Sequence, residues 1–226
     1  HRDLHSFPTR RSSDLFPSEK KEITDPVTGA RLTFLTSKPL GDSKIYQTHN
    51  QWTADGNWII FRSNRVDGEA MAVNEKSGVM VQVSEGGFMG MLNVARKSMN
   101  LYFMRGLSRR QRGPGIDGPV QIVQVNLGKV FSDSESGHLK EAPAYQAVCG
   151  TTPAEMGASG DMALDADEEW VYFRIGSDEA AKHLPQGTMM EENFGPRNLG
   201  AGPSGIGKMN LKTGRCSHVV SVPFQV

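Results

Sequence analysis

DGNWIIF, at residues 55–61, returns twice further along the chain, as KSMNLYF at 97–103 and as DEEWVYF at 167–173. Each copy sets a polar turn before a short aromatic strand. Each is followed by a second strand carrying a hydrophobe and an Asn: Val73-Asn74, Val125-Asn126 and Met209-Asn210. Phe61 and Phe103 stand 42 positions apart, and a unit of roughly 40–45 residues is the period of a four-stranded propeller blade. Phe103 and Phe173 stand 70 apart, so the next unit holds insertions. The repeat predicts an all-β protein, an incomplete β-propeller of about three four-stranded blades. Closed propellers take roughly four to eight blades, so the chain is expected to be cut at both ends.

Each blade is bounded by turn signals. Asp25 to Gly29 is a turn before a strand over Ala30 to Thr36, and Ile45 to Trp52 is an extended innermost strand that puts His49 and Asn50 on the channel. Asp55-Gly56 is a favoured hairpin dipeptide, because Gly accepts a positive φ. The second blade runs from about Met89 to Val130, with an outer strand near Ala144 to Val148, and the third from about Gly160 to Val222. Aligned on their Phe, the units place Trp52, Val94 and Leu164 at one position, expected to be packing between blades.

Composition narrows the class. Hydrophobic residues make up 37% of the 226, with 25 Gly and zero net charge. That balance suits strands and turns and argues against a nucleic-acid binder, which would be basic. No run of 18 apolar residues offers a membrane span, and two Cys form neither a disulfide framework nor a zinc spacing. The first fifteen residues, HRDLHSFPTRRSSDL, resemble the in-frame translation of a short-read sequencing adapter. They are set aside as an artefact (1–15), like a fusion scar, leaving 16–226 as a partial propeller domain. No initiator Met follows, so a cytoplasmic and a periplasmic location both stay open.

Candidate site residues lie where the units differ most. The connection from the aromatic strand to the Asn strand takes 13 positions in the first unit, 23 in the second and 37 in the third. Long insertions on one face of a regular scaffold are common carriers of function. The second insertion, RGLSRRQRGPGIDG, brings Arg105, Arg109, Arg110 and Arg112, and guanidinium groups suit bidentate recognition of carboxylate or phosphate. The alternative is a solvated basic loop. The third insertion contains His183, Glu191, Glu192 and FGPRNLGAGPSGIG with Arg197. His49 and Asn50 are either water-bridged or ligand-binding. His138 reads as a loop residue and His218 as an outer-strand residue. No His pair has metal spacing, and no nucleophile elbow or Walker loop is present.

TDPVTGARLTFLTS at 24–37, KIYQTHNQWTADGNWIIFRSNR at 44–65, VNEKSGVMVQVSEG at 73–86 and FGPRNLGAGPSGIGKMNLKTG at 194–214 resemble the N-terminal half of the oligogalacturonate lyases, polysaccharide lyase family 22. The resemblance implies a seven-bladed parent that cleaves oligogalacturonides by β-elimination, with manganese held by three His and a Gln. The chemistry requires removal of the C5 proton, which becomes acidic once the neighbouring uronate carboxylate is neutralised by a metal or Arg. By resemblance the base and the metal ligands fall beyond Val226. Arg197 is the nearest match to the family's catalytic Arg, though the expected position near 207 is Gly. His49, Asn50, Arg109, Arg110 and Arg112 are then candidates for binding an anionic oligosaccharide. The rival reading is a non-catalytic TolB-like propeller that binds a protein or glycan.

Overall fold

A computed structural model describes residues 15–107, 119–190 and 202–224. Its fifteen strands are β1 Leu15–Phe16, β2 Lys21–Thr24, β3 Arg31–Phe34, β4 Asp42–Lys44, β5 Trp58–Ser63, β6 Ala70–Asn74, β7 Met80–Gln82, β8 Met89–Val94, β9 Asn100–Gly106, β10 Val120–Asn126, β11 Gln146–Thr151, β12 Ser159–Leu164, β13 Trp170–Ile175, β14 Ser204–Asn210 and β15 Cys216–Val222. Among the described residues two α-helices interrupt them, α1 Leu127–Glu135 and α2 Ser177–Lys182. The strands form three antiparallel blades, in the orders β4-β5-β6-β7-β1, β8-β9-β10-β11 and β12-β13-β14-β15, with β2 and β3 as a separate hairpin. The chain is an incomplete β-propeller of three blades.

The register of the repeat explains its core. Side chains alternate across a strand, so in each unit the Phe and the residue before it face opposite ways. Phe103 packs into the cluster shared with the first blade, together with Trp58, Ile60, Val81 and Leu92. Phe173 packs into the cluster shared with the second blade, beside Tyr102, Met104 and Ile122. Ile60 and Tyr102, one position before the Phe, face the following blade. By the same rule Phe61 faces away from the second blade, where Phe16 and Leu35 cover it along with Met71 and Met80. The N-terminal segment thus lids the first blade's free side.

Among the described residues, the third blade's outward face is less covered. Ile206 and Val220 on its outward face are 43% and 45% exposed, whereas Tyr102 and Ile122, the matching face of the second blade, are 4% and 0% exposed. An apolar sheet face left in water is an association surface. The isolated chain is expected to bind a hydrophobic dye and to self-associate in sedimentation, and Ile206→Lys with Val220→Lys to suppress both without changing the β-sheet circular dichroism. Equal dye binding by the double variant would place the sticky surface elsewhere.

The recurring Asn closes turns. Asn74 Oδ1 accepts from the amides of Lys76 (3.1 Å) and Ser77 (2.9 Å), and Asn210 Oδ1 from those of Lys212 (3.2 Å) and Thr213 (3.0 Å). Both turns end four residues after the Asn at a glycine of positive φ, Gly78 and Gly214. Asn126 departs from this because the corresponding residue is Val130, which resists the left-handed region. The chain continues as α1, with Asn126 Oδ1 capping Lys129 N at 2.9 Å, an N-cap role that suits Asn. Sequence periodicity gave no sign of this helix. It seals the first two blades by laying Phe131 flat on Trp58, with ring centroids 4.1 Å apart and an interplanar angle of 5°.

The polar turns tie neighbouring blades together. Gly56 has φ +70°, and the equivalent residue of the third unit, Glu168, is held at φ +59°, which costs a non-glycine residue energy. Its carboxylate accepts from Lys97 N (2.6 Å) and Ser98 N (3.1 Å) in the second unit's turn. Lys97 Nζ meets Asp167 at 2.9 Å. These contacts offset the strain of the turn.

The first blade also starts differently from the expectation. Its inner strand is Asp42–Lys44, paired with Ser63 to Phe61, and pairing resumes only at the Trp52–Ile59 bridge. The intervening residues loop out of the sheet. Trp52 is 42% exposed and so does not pack between blades; Val94, its counterpart, is 5% exposed. The observed outer strand of the second blade, Gln146–Thr151, begins two residues later than expected. At the N-terminus, Leu15 pairs with Val81 and Phe16 with Met80, so the boundary set at residue 15 falls inside a strand. Backbone pairing asks nothing of the side chain, and the Leu15 residue is 53% exposed.

Candidate functional site

The loop between β4 and the Trp52 bridge carries the two polar residues singled out in the sequence. His49 and Asn50 are half-buried on this loop, not on an innermost strand. Asn50 is engaged locally: its Nδ2 donates to Trp52 O at 2.6 Å and its Oδ1 accepts from Trp52 N at 3.3 Å. The amide thus shapes its own turn and keeps a second N–H and a second lone pair. His49 stands edge-on to Tyr46, with centroids 6.1 Å apart, and its Nδ1 lies 3.3 Å from Thr48 Oγ1.

His49 lies against the third blade. There it closes a cavity of about 490 Å³ whose other walls include Tyr172, Arg174, Ser204, Ile206 and Val220. Most of that wall is the uncovered apolar face. The residues that line it include a histidine, an arginine, a tyrosine and a serine. Arg174 and Tyr172 were not singled out in the sequence. The signal was available: Arg174 directly follows the recurrent Phe173, and Tyr172 takes the position that faces the next blade.

The arginine-rich insertion divides. Arg105 belongs to β9 and is turned between the blades, where its guanidinium donates to Gly87 O at 3.1 Å, to Glu85 O at 2.5 Å and to Gln146 Oε1 at 2.6 Å, and lies 5.3 Å from the Phe103 ring centroid. Burial lowers its pKa, an effect that Glu69 and Glu85 oppose. It is a structural cation, not part of a solvent-facing basic loop. Arg109, Arg110 and Arg112, and Arg197 in the third insertion, lie outside the described residues. The two insertions leave from the same end of their sheets, after Gly106 and Ile175. His138 is exposed and His218 sits on the outer strand β15, both as expected.

Among the described residues, no group of three or more His, Cys, Asp or Glu side chains could hold a metal ion. No helix among them is long and apolar enough to cross a membrane.

Comparison with known proteins gives a fold and no family. The sequence matches no family model and no curated protein. Among solved structures, an oligogalacturonate lyase in complex with manganese superposes over 96% of this chain with a TM-score of 0.65 and 15% identity. Oligogalacturonate lyase from Vibrio parahaemolyticus superposes over 94% with a TM-score of 0.64 and 12% identity. The chain shares the fold of these lyases. It covers 50% of the first and 49% of the second, spanning about half their length.

Proposed function

We propose that this chain is the N-terminal half of a lyase that cleaves oligogalacturonides by β-elimination, carrying substrate-face loops without the catalytic core. The observation that supports the reading is the superposition of nearly the whole chain on one half of each of two such lyases, together with the resemblance of residues 24–86 and 194–214. In the proposed role His49 and the arginines of the two insertions, Arg109, Arg110, Arg112 and Arg197, face the uronate carboxylates. Each galacturonate ring brings one carboxylate, and an Arg held against it where water is excluded contributes about 1.5–3 kcal/mol, far less at an open surface. Manganese is the parent's proposed cofactor, and the described residues do not form a site for it.

Two measurements test the reading. The isolated chain is expected to form no unsaturated product from trigalacturonate, with or without manganese, followed by the absorbance of the new C4=C5 bond. Product formation would place the base within residues 16–226 and overturn the division proposed. In the full-length protein, Arg109→Ala, Arg110→Ala and Arg197→Ala are expected to weaken trigalacturonate binding by about tenfold or more for at least one of the three, equal to about 1.4 kcal/mol, while a neutral galactose trimer stays unbound. A full-length protein that binds neither sugar would favour a TolB-like binding propeller instead.

A further inference from the structure

The third blade carries a pair of histidines that the proposed uronide site does not use. His183, directly after α2, lays its ring on that of His218 in β15, with centroids 3.7 Å apart and an interplanar angle of 8°. The outer side of the pair is anchored at both ends. His183 Nε2 lies 3.1 Å from Glu179 Oε1, and His218 Nε2 lies 2.9 Å from Ser221 Oγ. Glu179 is shared with Lys182, whose Nζ is 2.8 Å away, and its side chain is 14% exposed.

We propose that this stacked pair is a pH-sensitive clasp that fastens α2 to the outer strand of the blade and opens when both rings are protonated. The geometry allows one positive charge and penalises two. A single imidazolium at His183 faces the Glu179 carboxylate and stacks on a neutral ring. A second proton would set two cations face to face at ring-contact distance, where a like charge disfavours ionisation. The charges around the pair do not remove that penalty. Burial holds the pKa of His218 down and His183 adds to the effect, while a hydrogen bond with the Val220 backbone and the Glu179 charge oppose it without reversing it. Glu179 is already divided between His183 and Lys182, while Asp178 and Glu155 act on Lys182. On β14, Lys208 is occupied 4.2 Å over the Trp170 ring.

Linkage sets the direction of the response. A histidine whose folded pKa is depressed contributes stability above its unfolded value of about 6.5 and loses it as pH falls below that value. α2 is therefore fastened at neutral pH and released on acidification.

The test is proton NMR of the two imidazole rings combined with amide protection factors in α2 between pH 7.5 and 5. In the wild-type chain the protection of the Ala180 and Ala181 amides is expected to fall about tenfold as the His218 ring takes its proton. His218→Phe retains a stacked ring that cannot take a proton, and α2 is expected to stay protected over the whole range. His183→Phe is the second variant, with the same expectation for protection, should His218→Phe fail to fold. An equal loss of α2 protection in wild type and the Phe variant would overturn the clasp.

Discussion

Replacing Arg65 by Met is expected to lower the stability of the chain by about 3–5 kcal/mol, the cost of leaving buried carboxylates without their cation. Arg65 sits in the short turn after β5 with its side chain 2% exposed. It donates to Glu19 Oε2 at 2.7 Å and Ser63 Oγ at 2.9 Å, and pairs with Asp42 Oδ1. Glu19 is 6% exposed and also accepts from the amides of Ser37 and Lys38, both at 3.1 Å. One carboxylate thus ties the N-terminal segment and the chain after β3 to the first blade. Burial pushes the pKa of Glu19 up, but the Ser37 and Lys38 amides and Arg65 outweigh it and hold it at about 2. A carboxylate depressed from its ordinary value of 4.5 contributes stability above that value and loses it as pH falls from about 4.5 to 2. The loss is at most about 3 kcal/mol. Urea unfolding between pH 7 and pH 2 checks both parts: Glu19→Gln should be less stable than wild type at pH 7 and close to it near pH 2. Parallel pH profiles for wild type and Glu19→Gln would show that folding does not lower the pKa of the carboxylate.

Phe103→Ala is expected to cost about 3–5 kcal/mol, the range for deleting a large aromatic from a packed core. Phe103 has no exposed surface and joins the first two blades with Leu101, Val123 and Val125. Trp52→Ala, although it removes a larger ring, is expected to cost far less, because Trp52 is 42% exposed. Chemical denaturation of the two variants separates buried packing from aromatic content alone. A loss at Trp52 equal to that at Phe103 would mean that the β4 loop packs more tightly than its exposure indicates.

The repeat was legible because its determinants are local. A polar turn, an aromatic strand and an Asn-closed hairpin are each written in four to seven consecutive residues, and the 42-residue return of Phe gives the blade. The alternation of side chains then assigns which residue faces which neighbour, as the burial of Phe103 and Phe173 bears out. His218 on an outer strand and the turn at Asp25 to Gly29, where Gly29 N donates to Asp25 O at 2.9 Å, followed from the same local signals. The sequence by itself therefore determined an incomplete propeller of about three four-stranded blades and the aromatic and Asn-bearing strands at their centre.

Tertiary structure decided what depends on partners distant in the chain. Helix α1 replaced a hairpin turn because Val130 stands where two other blades have Gly, and Trp58 of another blade supplies the surface its Phe131 needs. Arg105 left the basic loop for the blade interface because carbonyls of residues 85 and 87 and the Gln146 side chain converge there. His49 moved from a strand to a loop because inner-edge pairing lapses between Lys44 and Trp52. The His183–His218 stack joins residues 35 positions apart in the chain. Turn and strand preferences act over a few bonds, whereas burial, ion pairing and ring stacking exist only once separate strands have been brought side by side.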